Sequence, residues 1–266
     1  MPMNFGLLII GDEILSGKRA DKHMPKVIEL LSARGLSLAW ARYVGDDPQR
    51  ITAELREAFA GGDVVFSCGG IGATPDDHTR RCAAEALGRP LVLHPQAREL
   101  IMERVRQMAA EQGWSADPQH PDTLRRLEMG VFPEGADIIA NPFNKIPGFS
   151  IGDVHFVPGF PVMAHPMIEA LLDSRYAHLH HQHAWQERSV IVRGSMEATL
   201  TPLMEAIEAR FPGVKVFSLP SVDHPQWGRH IELGVKGEPA LLDAAYPMLL
   251  QGLHEHGAEL GPELVR

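Results

Sequence analysis

The sequence predicts an α/β fold: a three-layer, open and mostly parallel sheet, followed by a smaller α+β domain. Three observations carry this. Short apolar runs end at glycine, apolar residues between them recur at helical spacing, and after a His-rich stretch without period the pattern restarts with alternating strands. The length agrees, because 266 residues suit one large or two unequal domains.

Phe5–Ile10 (FGLLII) is a continuous apolar run ending at Gly11, the signature of a strand buried on both faces. Met24, Val27, Ile28 and Leu31 then form one helical stripe, with Gly35 placed as a stop. Residues 36–44 read as a second strand. Asp47-Pro48 opens a helix with the line Ile51, Leu55, Ala58 and Phe59. Val64-Val65-Phe66 is a third buried strand, residues 69–77 a Gly-rich loop, and Thr79–Leu87 a helix stopped by Gly88. A helix over 96–112, a Pro/Gly-broken region over 132–161 with strands at 149–151 and Val154–Val157, and a helix over 162–172 complete a first domain, 1–174. Residues 174–186 are the expected linker. The second domain, 186–266, reads as β-α-β-β-α: strands at 188–192, 214–219 and 230–235, a helix carrying Leu200, Leu203, Met204, Ile207 and Phe211, and a helix over 241–254.

Composition narrows the function classes. Hydrophobic residues at 44% and charged residues at 22% exclude a disordered or fibrous chain. Twenty-five Lys and Arg against 34 Asp and Glu give a net charge of −9, which argues against a broad nucleic-acid surface. Aromatics at 6% argue against a base-stacking platform. No apolar run approaches a bilayer span, and the N-terminus lacks the basic region of a signal peptide. Two cysteines, Cys68 and Cys82, fit a reducing compartment. The expectation is a cytoplasmic protein that binds a small molecule and neither nucleic acid nor membrane.

In an open parallel sheet the ligand lies beyond the carboxyl ends of the strands. Two segments fall there: Gly11-Asp12-Glu13-Ile14-Leu15-Ser16-Gly17 after the first strand, and Gly69-Gly70-Ile71-Gly72-Ala73-Thr74-Pro75-Asp76-Asp77 after the third. Glycines let backbone amides approach an oxyanion, and a helix N-terminus adds partial positive charge. The carboxylates Asp76 and Asp77 would repel a phosphate unless a divalent cation joins them, and hard oxygen ligands favour Mg²⁺ or Mn²⁺. The plainer reading is that Asp77 caps the helix and Asp76 is solvated.

GDEILSG, VGDDPQRI and GGIGATPDDHT, in this order and followed by PEGADIIANP, IPGF and FVPGFP, resemble the N-terminal domain of the CinA (competence/damage-inducible protein A) family over about residues 4–172. That domain shares the molybdopterin-binding fold of the MoaB and Mog proteins. The resemblance implies a homo-oligomer (dimer or trimer) and a site for a phosphorylated nucleotide or pterin. It further implies metal-dependent hydrolysis of a nucleotide diphosphate such as ADP-ribose to AMP and ribose 5-phosphate, with Mg²⁺ (or Mn²⁺/Co²⁺). On that pattern Gly69, Gly70 and Gly72 hold the diphosphate, and Asp77 with Asp12 or Asp76 holds the cation. Lys145 and Arg80 neutralise phosphate charge, Thr74 bonds a phosphate oxygen, and Gly148 and Gly159 let the IPGF and PGFP turns approach. Asp77, Asp76 and Lys145 are the catalytic candidates. The alternatives are a molybdopterin-binding protein of molybdenum cofactor metabolism and a non-catalytic nucleotide-binding module.

Departures from the family pattern surround the pocket. His23 stands where Asn is frequent, Ala73 where Pro is, PGFP replaces PGPP, Lys145 takes a small-residue position, and Asp76 takes a place held by Arg in Mog proteins. The last change disfavours adenylyl transfer from ATP. The chain ends at 266 without the nicotinamide-nucleotide amidase domain of full-length CinA, so that activity is not expected. The tract His178, His180, His181, His183 reads as a solvated connector, and Cys68, His78 and Cys82 as core and surface residues rather than a zinc site. His23 and His78 flank the expected pocket, with packing or capping roles favoured over proton transfer.

Overall fold

The chain adopts the architecture that its buried runs call for in a computed structural model, which describes residues 3–182 and 186–266 and divides into two compact units, Met1–His180 and His181–Arg266. His183, the last histidine of the tract, lies outside the described residues.

In chain order the first unit contains β1 (Phe5–Ile10), α1 (Asp12–Leu15), α2 (His23–Ser32), β2 (Leu38–Val44), α3 (Pro48–Gly61), β3 (Val64–Cys68), α4 (Thr79–Leu87), β4 (Leu91–Leu93), α5 (Pro95–Gln112), α6 (Pro121–Glu128), β5 (Val131–Pro133), β6 (Asp137–Ile139), β7 (Gly148–Ile151), β8 (Val154–Val157) and α7 (Pro161–Ser174). Six strands form one sheet in the order β2-β1-β3-β8-β7-β6. The pairs β1/β2, β1/β3 and β3/β8 are parallel, and β7 closes the far side antiparallel to β8 and β6.

Every residue of β1 is buried because both faces of the sheet are covered. Leu7 and Ile9 pack with Val27 and Leu31 of α2 and Met167, Ile168 and Leu172 of α7. Leu8 and Ile10, one position out of phase, pack with Ile51 and Leu55 of α3, Cys82 and Ala83 of α4, and the rings of Phe149 and Phe156. The alternation of Cβ directions along a strand thus feeds two separate cores. Both cysteines are buried thiols, and burial raises their pKa.

Helix ends follow the sequence signals. The Asp47 side chain accepts from the Gln49 and Arg50 amides at the start of α3, where Pro48 opens the first turn. Gly88 ends α4 in the left-handed region. The expected linker is in part fastened to the first unit. α7 runs to Ser174, a 3₁₀ turn spans Ala177–Leu179, Tyr176 is buried, and His180 Nε2 donates to the Leu172 carbonyl at 3.0 Å. Residues 176–180 are therefore part of the first unit and not a free connector. A 3₁₀ turn too short to show a period hid this from the pattern.

The second unit contains β9 (Gln186–Arg193), α8 (Glu197–Arg210), β10 (Lys215–His224), β11 (Gly228–Gly237), α9 (Pro239–Glu255) and β12 (Glu259–Val265). Its sheet is antiparallel throughout, in the order β10-β11-β9-β12. Val190, Val192, Leu233 and Val235 meet Leu200 and Ile207 of α8 and Leu242, Tyr246 and Leu249 of α9 in one core. β12 adds an edge strand to the expected β-α-β-β-α order. Its Gly261-Pro262 pair sits at a register shift between Leu260 and Glu263, a device natural to edges and one that erases the strand period. No helix among the described residues is long and apolar enough to cross a membrane.

Candidate functional site

At the carboxyl edge of the first unit's sheet lies a cavity of about 640 Å³. Its walls come from three connections: the end of β1 and the segment after it (Ile10, Gly11, Glu13, Lys18, Arg19), the loop after β3 (Gly69 to Thr74, Asp76, Asp77), and the turn after β8 (Pro158, Gly159, Phe160), with Asp46 from the end of β2. Parallel strands β2, β1, β3 and β8 are neighbours. Four consecutive strand ends therefore supply the lining, as an open α/β sheet dictates.

The loop after β3 is shaped by the first residues of α4. Asp77 accepts from the Gly72 amide (2.8 Å), the Thr74 amide (2.8 Å) and the Thr74 hydroxyl. The buried Thr79 donates its hydroxyl to the Gly69 carbonyl and its amide to the Gly70 carbonyl, both at 3.0 Å. Arg80 donates to the carbonyls of Gly72 and Glu128, and burial lowers its pKa from the usual guanidinium value. Glycine is required here by the loop's own packing. A Cβ at Gly69 (φ +109) would lie 2.2 Å from the Ile10 carbonyl oxygen, and one at Gly70 (φ +68) 2.1 Å from Thr79 Oγ1.

This closure corrects part of the expected cradle. The Gly69 amide donates to the Val157 carbonyl (3.0 Å) and the Gly72 amide to Asp77, so neither is open to a ligand. Among the described residues no acceptor takes the amides of Gly70, Ile71 or Ala73, all of which line the cavity. Asp77 folds back into its own loop instead of capping α4, whose N-cap residue is His78. Asp76 and Thr74 stand exposed at the cavity rim.

Asp12 lies beside the cavity. Its carboxylate accepts the Asp46 amide (3.1 Å), while the Asp46 carboxylate accepts the Asp12 amide (2.9 Å). Burial raises the pKa of Asp46, and the charges of Asp12, Glu13 and Asp76 raise it further, against the backbone bond that lowers it. Asp12, Glu13, Lys18, Asp46 and Asp76 also border an adjoining depression. Among the described residues no group of three or more His, Cys, Asp or Glu side chains converges as a metal centre.

Besides Asp12, three expected residues do not line the cavity. Lys145 is turned to Glu103, with Nζ 2.5 Å from the carboxylate. Arg80 is consumed by the loop carbonyls. Gly148 is buried within β7, where a Cβ would meet the Phe156 carbonyl oxygen at 2.3 Å. Gly159 does line the cavity, packed against the other loop: a Cβ there would lie 3.4 Å from the Gly69 Cα. His23, 4% exposed, sits behind the same turn and donates from Nε2 to the Gly159 carbonyl at 3.1 Å. Burial lowers its pKa, against the bond to Gly159 and the charge of Asp21 that raise it.

Sequence reasoning missed Lys18, Arg19, Asp46 and Phe160. Lys18 and Arg19 are the cations that line the cavity, and neither forms an ion pair among the described residues. The signal was available, since they directly follow the GDEILSG segment at the end of the first strand. Their loop is drawn in by the Ser16 amide donating to the Asp12 carbonyl (2.8 Å) and the Arg19 amide to the Glu13 carbonyl (2.9 Å).

Residues 6–178 match a family described as "Probable molybdopterin binding domain". A CinA-like protein of Syntrophotalea carbinolica is 31% identical over 225 residues, covering 79% of this chain and 52% of that protein. A protein of Pyrobaculum calidifontis is 32% identical over 236 residues, covering 85% of each. The chain thus spans about half the length of the first of these relatives. Among solved structures, CinA of Thermoplasma acidophilum, described as of unknown function, matches with a TM-score of 0.53 and 27% identity over 64% of this chain and 96% of that one.

Proposed function

The chain belongs to the CinA-like proteins that carry a probable molybdopterin-binding domain, and on that premise we propose that its cavity binds a phosphorylated pterin or nucleotide. The observation that carries this reading is the set of amides at Gly70, Ile71 and Ala73, which find no acceptor among the described residues and line a cavity that also holds Lys18 and Arg19, cations without an ion pair among those residues. Backbone donors and cations together suit an oxyanion. The family description favours a molybdopterin-type ligand, and the cavity volume of about 640 Å³ is in the range of small-molecule sites. The test is calorimetric titration of the full chain with AMP, ADP-ribose and a phosphorylated pterin. At least one binds, and the double substitution Lys18→Ala/Arg19→Ala weakens it about tenfold or more. Unchanged affinity in the double variant, or no binding by any of the three, sinks the reading.

A second reading adds turnover, and the crowding of Asp12, Glu13 and Asp76 around a carboxyl of raised pKa at Asp46 favours it. A divalent cation relieves such crowding. Mg²⁺ commonly takes one or two protein carboxylates and completes its shell with phosphate oxygens and water. Asp12 and Asp46 are the residues that would hold it, while both oxygens of Asp77 already accept from the loop. Bound there, the ion would supply charge neutralisation at phosphorus and a more acidic attacking water. ADP-ribose incubated with Mg²⁺, Mn²⁺ or Co²⁺ should then yield AMP and ribose 5-phosphate, and Asp46→Asn should abolish the yield. Equal AMP from both proteins, or none from the wild type, removes this second reading and leaves the first.

A further inference from the structure

The cavity has two kinds of wall. Lys18, Arg19, Thr74 and the carboxylates Glu13, Asp46, Asp76 and Asp77 give it a polar side, whereas Ile10, Ile71, Pro158 and Phe160 are apolar. Phe160 is the aromatic residue of the lining and is 54% exposed. That exposure is a cost in water for a large apolar ring, and nothing in the folding of α7 demands it. The helix needs only the backbone of Phe160, which forms the N-cap in extended conformation and accepts the Met163 and Ala164 amides at 2.9 Å.

The same backbone is fixed on both sides. Pro161 opens α7, and on the other side the Gly159 carbonyl accepts the His23 Nε2–H at 3.1 Å. The ring therefore projects from a rigid turn, beside a loop whose free amides suit an anion. A rigid aromatic face next to an anion site is complementary to a ligand that joins a flat ring to a phosphate.

We infer that Phe160 is the stacking platform of this cavity and selects planar heteroaromatic phosphates over phosphates that carry only a sugar. The inference rests on the binding reading above and narrows its ligand class. Aromatic stacking is tolerant of ring identity because every base presents a π face. Purines and pterins are both accommodated, and the phosphate is held independently of the ring.

The experiment compares AMP and GMP with ribose 5-phosphate on the full chain. Guanine carries the 2-amino-4-oxopyrimidine ring of a pterin, so GMP stands in for that class. In the wild type both nucleotides bind more tightly than ribose 5-phosphate. Phe160→Ala weakens them about tenfold and leaves ribose 5-phosphate unchanged, and Phe160→Trp restores nucleotide affinity. The melting temperature of Phe160→Ala stays at the wild-type value, because the ring is solvent-exposed. Equal wild-type affinity for nucleotide and sugar phosphate, or equal loss of both in Phe160→Ala, overturns the platform while the phosphate site stands. Binding of none of the three overturns both.

Discussion

Single side chains set the acid response of the first unit. His155 is fully buried between the Ser150 hydroxyl (2.7 Å at Nδ1) and the Tyr176 hydroxyl (2.6 Å at Nε2). Tyr176 donates its one proton to Asp153 at 2.8 Å, so its oxygen accepts from Nε2–H, and Nδ1 accepts from Ser150. The network needs neutral imidazole, and burial first, then the nearby Arg175, lowers the His155 pKa from 6.5 to about 3. Between those values the unfolded chain binds a proton that the folded chain refuses. Stability from this group is thus fully present above about pH 6.5 and declines as pH falls toward 3. His23 and His165, lowered mainly by burial, act in the same direction. Replacement of His155 by Gln should flatten the fall in melting temperature between pH 7.5 and 4.5 measured by calorimetry. An unchanged slope would show that other groups govern it.

Elements are tied together by rings as well as by strand pairing. Phe149 of β7 stacks on Phe132 of β5 at 4.6 Å and on Phe156 of β8 at 4.3 Å. The short antiparallel end of the sheet is thereby held by a column of phenyl rings. Phe149→Ala should cost about 3–5 kcal/mol, read as a lower denaturant midpoint, whereas Phe149→Leu should cost much less; similar small losses for both would mean that the column contributes little. Elements of this kind explain what the sequence did and did not reveal. β1, β3, α3 and α4 carry long, uniform signals: an unbroken apolar run, a capping Asp47, a terminal Gly88. β4, β5 and β6 have three residues each, too few for any period to register, and α1 has four. The motif segments correctly marked the strand ends that line the cavity. The direction of side chains within them was illegible, because whether Asp77 faces a ligand or its own loop depends on the fold of residues 69–77 and on Arg80 from the next turn.

At the scale of the molecule, each unit has its own core. Three clusters of buried side chains belong to Met1–His180, and a fourth to His181–Arg266. Expressed alone, residues 1–180 should unfold cooperatively and keep near-ultraviolet circular dichroism. A fragment without tertiary signal would show that the first unit depends on the second. The His-rich stretch without period at 174–186 is where a division was expected, and the two units divide between His180 and His181. Lys145 was misplaced for the opposite reason: its partner Glu103 lies in α5, a contact between distant positions that no local pattern encodes. The bond from the Gly69 amide to the Val157 carbonyl at 3.0 Å clasps the ends of β8 and β3 before any solute arrives. Recognition then requires little rearrangement of the host, and differences in affinity among guests should reside in how long each one stays rather than in how often it is admitted.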